Sequence, residues 1–232
     1  MTVQTPQNTI AAKLRTVPVF MDLPPAELER LSQIVGLRRY PKGGFIFTRE
    51  ERGDSMFMLV SGRVKTCLVS PDGRELTLSF LDAPSYFGEM SLVASGPRAS
   101  DVIAITDVEV FVLEAKDLSA AIRIQPKLAI TLVATLSNRL RTTIGRLEDL
   151  SFHDASHRVK RVLLNVATAS YDSIGVPIVS GLTHYEIGTL AGTSRETASR
   201  VVSSLAKQGV LLTRGRKIIV DLFKLKAQLD AE

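Results

Sequence analysis

Cysteine is almost absent: Cys67 stands alone in 232 residues. A single thiol closes no internal disulfide and cannot supply a four-thiolate zinc site or an iron–sulfur cluster. No apolar run is long enough to cross a bilayer, so no transmembrane helix and no membrane partner are expected. Residues 1–10 are polar, without a basic start and an apolar core behind it, which predicts no secretory signal and a cytoplasmic protein. Histidine is missing from residues 1–150, and all three, His153, His157 and His184, lie beyond them. No Ser-His-Asp arrangement, HExxH or phosphate loop is present, so no catalytic residue is expected and the chain does not read as an enzyme. His153 and His157 stand four residues apart at a helix start, but the sequence shows no further ligand for them, and no metal is expected.

What is present is a globular composition, 45% hydrophobic and 23% charged, ample for a buried core. The net charge of +5 is unevenly spread: residues 1–150 hold 18 Lys+Arg against 17 Asp+Glu, a net of +1, whereas residues 151–232 hold 11 against 7, a net of +4. A basic last third hints at a polyanionic partner such as double-stranded DNA, with ordinary surface variation as the bland alternative.

Residues 11–35 read as small packing helices, with Pro25 suited to a first helical turn and Leu28, Leu31, Ile34 and Val35 at helical spacing. From Arg38 to Leu113 the texture turns to short β-rich runs, at 45–47, 56–60, 64–69, 76–80 and 108–113, punctuated by glycine and proline. That pattern predicts a compact antiparallel roll, with Asp72-Gly73 as a hairpin turn. After Pro126 a helix of about seven turns carries Leu128, Leu132, Leu136, Leu140, Ile144, Leu147 and Leu150 on one stripe. A helix of roughly 35 Å outruns a small roll, so a second copy of the chain is expected to cover its apolar face. A further helix follows Ser151, then a loop over 171–181.

Thr183-His184-Tyr185-Glu186 has the form of a capping box, and Thr193-Ser194-Arg195-Glu196 that of a second one ten residues later. Two helices joined by Ala191-Gly192, with small Gly188 on the first, predict a helix-turn-helix. On its second helix Ala198, Val201, Val202 and Leu205 face inward, leaving Arg195, Glu196, Ser199 and Arg200 outward near the N-terminal end. Arginine's fork matches guanine O6 and N7 and a carboxylate accepts from cytosine N4, so Arg195, Glu196 and Arg200 are the expected base readers. Ser194 and Thr197 are placed for phosphates. The bland alternative is a solvated face with a Glu196–Arg200 pair. Strands at 210–213 and 217–220 flank Arg214-Gly215-Arg216, a basic wing tip whose arginines suit phosphate.

Three stretches carry a resemblance over nearly the whole chain: Gly62-Arg63-Val64-Lys65, Phe87-Gly88-Glu89-Met90-Ser91-Leu92 through Pro97-Arg98-Ala99-Ser100-Asp101-Val102, and Ser194-Arg195-Glu196-Thr197-Ala198-Ser199-Arg200. In them the sequence resembles the Crp-Fnr superfamily, most of all its cAMP receptor branch. The resemblance implies an α+β protein with a jelly-roll-like antiparallel cyclic-nucleotide roll (1–125), a long dimerisation helix (126–151) and a winged helix-turn-helix (152–232). It implies a homodimeric regulator that binds cAMP and reads TGTGA-like half-sites, with RNA polymerase as a further partner. The middle stretch resembles a phosphate-binding cassette: Arg98 would pair with the cyclic phosphate beside Gly88, Ala99 and Ser100, Glu89 would accept from the ribose 2′-hydroxyl, and Thr143 would meet the purine amino group. Another small anion such as 2-oxoglutarate, or no ligand, is the alternative. The oxygen-sensing branch needs several cysteines, and the carbon-monoxide branch needs haem ligands that a histidine-free sensor lacks, so neither cluster nor haem is expected.

Overall fold

A computed structural model describes residues 6–94, 96–170, 175–215 and 217–231. The chain divides into two compact units, one of Met1–Leu68 with Leu78–Arg141 and the other of Val69–Thr77 with Thr142–Glu232.

The first unit opens with helix α1 (Pro6–Thr16), a 3-10 turn (Pro18–Phe20) and α2 (Pro25–Ile34), whose first residue is the expected proline. The strands are β1 (Gly36–Tyr40), β2 (Phe45–Phe47), β3 (Ser55–Ser61), β4 (Arg63–Val69), β5 (Glu75–Asp82) and β6 (Ser85–Phe87). After α3 (Glu89–Ala94) come β7 (Asp101–Ala104), β8 (Val108–Glu114), α4 (Ala115–Ile124) and α5 (Lys127–Phe152). They form two four-stranded sheets, ordered β1-β8-β3-β6 and β2-β7-β4-β5, with antiparallel pairing. Strand side chains alternate between faces, and β3 buries both. Phe57 and Leu59 join Val64, Phe87 and Val102 in the roll interior. Met56 and Met58 join Leu14, Phe20, Leu128 and Leu132 on the helical side.

Every strand expected in the first unit is present, at the expected bounds for β2 and one to three residues longer for β3, β4, β5 and β8. β1, β6, β7 and α3 were not legible, because each is short or, like β1, exposed along nearly its whole length and free of apolar alternation. The ten-residue α4 was also missed, although Leu118 and Ala121 give it a buried face. The stripe on α5 splits. Leu128 and Leu132 are buried, whereas Leu140, Ile144 and Leu147 are 61%, 56% and 63% exposed. No helix of the described residues is long and apolar enough to cross a membrane.

The second unit contains α6 (Ala155–Thr168), β9 (Ile178–Ser180), α7 (His184–Leu190), α8 (Arg195–Lys207), β10 (Leu211–Arg214), β11 (Lys217–Val220) and α9 (Leu222–Asp230). Val159, Leu163, Ile187, Ala198, Val202 and Leu205 share its core. The wing strands pair as expected, Leu211 with Val220 through Arg214 with Lys217. A third strand, β9, lies against β11. It falls inside the expected 171–181 loop, of which residues 171–174 lie outside the described residues.

Candidate functional site

The candidate site of the first unit starts at Gly88, where the end of β6 turns into α3 with φ +82°, a conformation that favours glycine. A Cβ there would sit 2.9 Å from Arg98 Nη1 and 3.2 Å from Phe57 Cδ2, so only glycine admits the guanidinium this closely. Arg98 Nη1 donates to the Gly88 carbonyl at 2.9 Å and Nη2 to Ser55 Oγ at 3.3 Å. The guanidinium lies over the Phe47 and Phe57 rings, 4.3 and 5.4 Å from their centroids. Its residue is 4% exposed. Nε has no partner, and among the described residues no carboxylate reaches ion-pair distance. Burial pushes the guanidinium pKa down, with Asp54, Glu51 and Glu89 pulling it back up. Cation–π contact returns about 0.5–2 kcal/mol, well short of the several kcal/mol that desolvating a charge costs. The fold holds a buried cation that an anion would satisfy.

Glu89, the first residue of α3, is fully buried. Its partner is not Arg98 but Arg139 of α5, whose Nη1 donates to Oε1 at 2.5 Å and whose Nη2 donates to the Tyr86 carbonyl at 2.9 Å. Glu89 Oε2 has no donor. Ala99 is exposed and Ser100 half-buried, both just after Arg98 in the bend leading to β7. Thr143 is on α5 with an exposed side chain. The structure therefore brings Gly88, Glu89 and Arg98 together. Nothing in the sequence marks Arg139, one cation among several on α5.

In the second unit Thr183 caps α7 as expected: its Oγ1 accepts from Glu186 N at 3.2 Å while its own amide donates to Glu186 Oε2 at 2.6 Å. The second box is not formed. The cap of α8 is Ser194, whose Oγ accepts from Thr197 N at 3.1 Å. Thr193 and Ser194 both suit a cap, and the helix starts one residue later than the Thr193 spacing implied. Ser194 Oγ also lies 3.3 Å from Thr197 Oγ1, so the two expected phosphate contacts are paired to one another.

A Cβ on Gly188 would meet the carbonyl oxygens of Thr193 and Ser194 at 3.0 Å, and Gly192 has φ +60°, so both glycines set how α7 and α8 meet. Arg158 of α6, unforeseen in the sequence, supports the turn: Nε donates to the Ala191 carbonyl at 2.8 Å and Nη2 to that of Gly192 at 3.3 Å. Arg195, Glu196 and Arg200 are exposed, and Ser199 is half-buried. Neither Glu196 nor Arg200 forms an ion pair among the described residues, so the solvated Glu196–Arg200 pair is not present. Hydrogen bonding to its own backbone amide and to the Ser194 hydroxyl lowers the Glu196 pKa. An ionised Glu196 only accepts. Arg214 is exposed at the end of β10, Gly215 follows with φ +58°, and Arg216 lies outside the described residues.

Two family models match this chain: the cyclic nucleotide-binding domain over residues 37–125 and the Crp-like helix-turn-helix domain over residues 157–228. A cyclic AMP receptor protein of Thermus thermophilus is 37% identical over 194 residues, covering 84% of this chain and 88% of the relative. The chain belongs to the Crp-Fnr family. A CRP-like cAMP-activated global transcriptional regulator of Mycobacterium tuberculosis is 30% identical over 204 residues, 87% of this chain and 91% of its own. Among solved structures, the c-di-GMP responsive global regulator CLP of Xanthomonas campestris aligns with a TM-score of 0.70 at 25% identity, covering 84% of this chain and 98% of the other. This Crp-Fnr member is a DNA-binding transcription regulator and not an enzyme. It has an antiparallel N-terminal domain of the cyclic nucleotide-binding kind, a long helix and a C-terminal helix-turn-helix domain.

Proposed function

We propose that the chain is a cytoplasmic, homodimeric regulator switched by cAMP and reading TGTGA-like palindromes. The observation that carries this reading is the pair of unmet groups in the sensor. A cyclic phosphodiester supplies one anion to Arg98, beside Gly88, Ala99 and Ser100, and its ribose hydroxyl supplies the donor that Glu89 Oε2 lacks. Beside a buried carboxylate a dianion such as 2-oxoglutarate is the poorer fit. Thr143 meets the purine amino group.

Residues 1–125 form the sensor, 126–151 the dimer helix and 152–232 the reading head. A second copy covers the exposed Leu140, Ile144 and Leu147 of α5, and ligand shifts the population towards a dimer whose α8 helices sit one DNA turn apart, about 34 Å. Arg195, Glu196 and Arg200 read bases; Ser194, Thr197, Arg214 and Arg216 hold phosphates; RNA polymerase is the downstream partner.

Calorimetric titration of the full chain with cAMP, cyclic di-GMP and 2-oxoglutarate tests the ligand. Saturable binding of cAMP alone, one per chain, is expected. Silence with cAMP and heat with one of the others overturns the assignment.

A further inference from the structure

Asp149 in the last turn of α5, His153 just past its end and His157 in the first turn of α6 recur every four residues across the junction of the two helices. Asp149 supplies a third group beside the two histidines. One ligand atom from each lies within 4.8 Å of the others, and the two imidazole rings stack at 3.8 Å and 5°. The chain is held in this path from both sides. Asp154 caps α6 by accepting from His157 N at 2.8 Å, and Arg158 Nη1 donates to the His153 carbonyl at 2.8 Å. Arg158 spends its other nitrogens on Ala191 and Gly192, away from the cluster.

A cation already faces these groups. Arg161 Nη2 lies 3.5 Å from Asp149 Oδ1 and 3.4 Å from His157 Nε2. A guanidinium nitrogen can only donate, so Nε2 presents it with a lone pair, the state in which imidazole ligates a metal. The hold is loose: both contacts are long, Arg161 Nε is buried without a partner, and the side chain is 42% exposed, which leaves it a way out to solvent.

We propose that Asp149, His153 and His157 form a binding site for a divalent ion of the zinc class, which displaces Arg161 and ties the end of α5 to the start of α6. Two imidazoles and one carboxylate suit zinc or nickel better than magnesium or calcium, which prefer all-oxygen sets. Zinc bonds of about 2.0–2.1 Å require the three atoms to close from their present spread by side-chain rotation, with water completing a tetrahedron. The site does not depend on the effector in the sensor, so its failure and that of the cAMP reading are separate results.

The test is titration of Zn²⁺ into the metal-free full chain against a chromophoric chelator, with metal content measured after desalting. One ion per chain is expected. His153→Ala and Asp149→Asn each remove a ligand and should weaken binding by at least the roughly ten- to hundredfold that loss of a mere outer-shell partner costs in metal sites. Arg161→Ala keeps all three ligands and removes the competing cation, so it should bind zinc several-fold more tightly, a gain that purely structural histidines would not produce. Circular dichroism of the metal-free variants checks their folding; if His153→Ala does not fold, Arg161→Ala still decides. Equal affinity in all the folded variants and the parent, or no binding in competition with the chelator, overturns the proposal.

Discussion

Arg139 Nη1 closes on Glu89 Oε1 at 2.5 Å, so the carboxylate facing the sensor site is held by a cation from the long helix. Glu89 is fully buried, whereas the Arg139 side chain is 35% exposed. Arg139→Ala strands a buried charge, and with allowance for the solvent around Arg139 the cost should be about 1–3 kcal/mol in urea unfolding of the ligand-free protein. Arg139→Lys should recover part of it. An unchanged midpoint in the alanine variant would mean that the pair contributes nothing.

Arg98 is expected to behave in the opposite way. Its guanidinium is desolvated without a carboxylate partner, so Arg98→Leu should leave the thermal midpoint unchanged or raised, since apolar replacement of a buried charge is often neutral or stabilising. cAMP affinity should fall by at least about 100-fold, near the lower end of what two charge-assisted hydrogen bonds are worth. Thermal melts and calorimetry on the same sample check both halves, and intact cAMP affinity would remove Arg98 from the pocket.

The reading head offers a contrast between two side chains. Glu196→Ala should relax preference at one base pair of each half-site by about 1–3 kcal/mol, because an ionised carboxylate accepts well from the cytosine N4 amino group and has nothing to donate to an acceptor edge. Arg214→Ala should weaken all sequences alike and reduce the salt slope of log K by about 1. Binding to a panel of single-substitution duplexes at several salt concentrations separates them; a uniform loss in Glu196→Ala would count against base reading.

Asp154 sets a pH dependence. Hydrogen bonding from the His157 amide holds its carboxyl below the ordinary aspartate value. A group lowered in the folded state contributes stability that is complete above its unfolded pKa and is lost as pH falls through the folded one. Asp154→Ala should therefore cost about 0.5–2 kcal/mol at neutral pH, the usual worth of an N-cap. That gap should shrink below about pH 4, the ordinary aspartate range. Denaturant melts of parent and variant across that range check the sign; a gap that widens in acid contradicts it.

Much of this was legible in the residues. Ser55–Ser61 and Val108–Glu114 are apolar enough to announce themselves, and Thr183 with Glu186 fixed the start of α7 by a pairing that only a helix terminus needs. Arg98 stood out through its cassette, and its side chain lies buried against the Gly88 carbonyl. Arg139 and Arg158 were not, because each acts on a group far away in sequence, at Glu89 and at the Ala191-Gly192 turn, and a lone arginine on a helix has no pattern. Thr193 against Ser194 was undecidable from type alone, since both can cap. Ser85–Phe87 is no shorter than Phe45–Phe47, but it opens on serine, whereas the other is apolar throughout.

In the proposed function a cyclic phosphate held by Arg98 controls whether the α8 helices engage DNA. A mobility-shift titration of the full chain on a TGTGA-palindrome duplex, with and without cAMP at fixed stated salt, measures it directly. Tight, sequence-selective binding should appear only with cAMP, leaving weak, salt-sensitive phosphate binding in its absence. Equal and selective binding with and without the nucleotide would contradict the account.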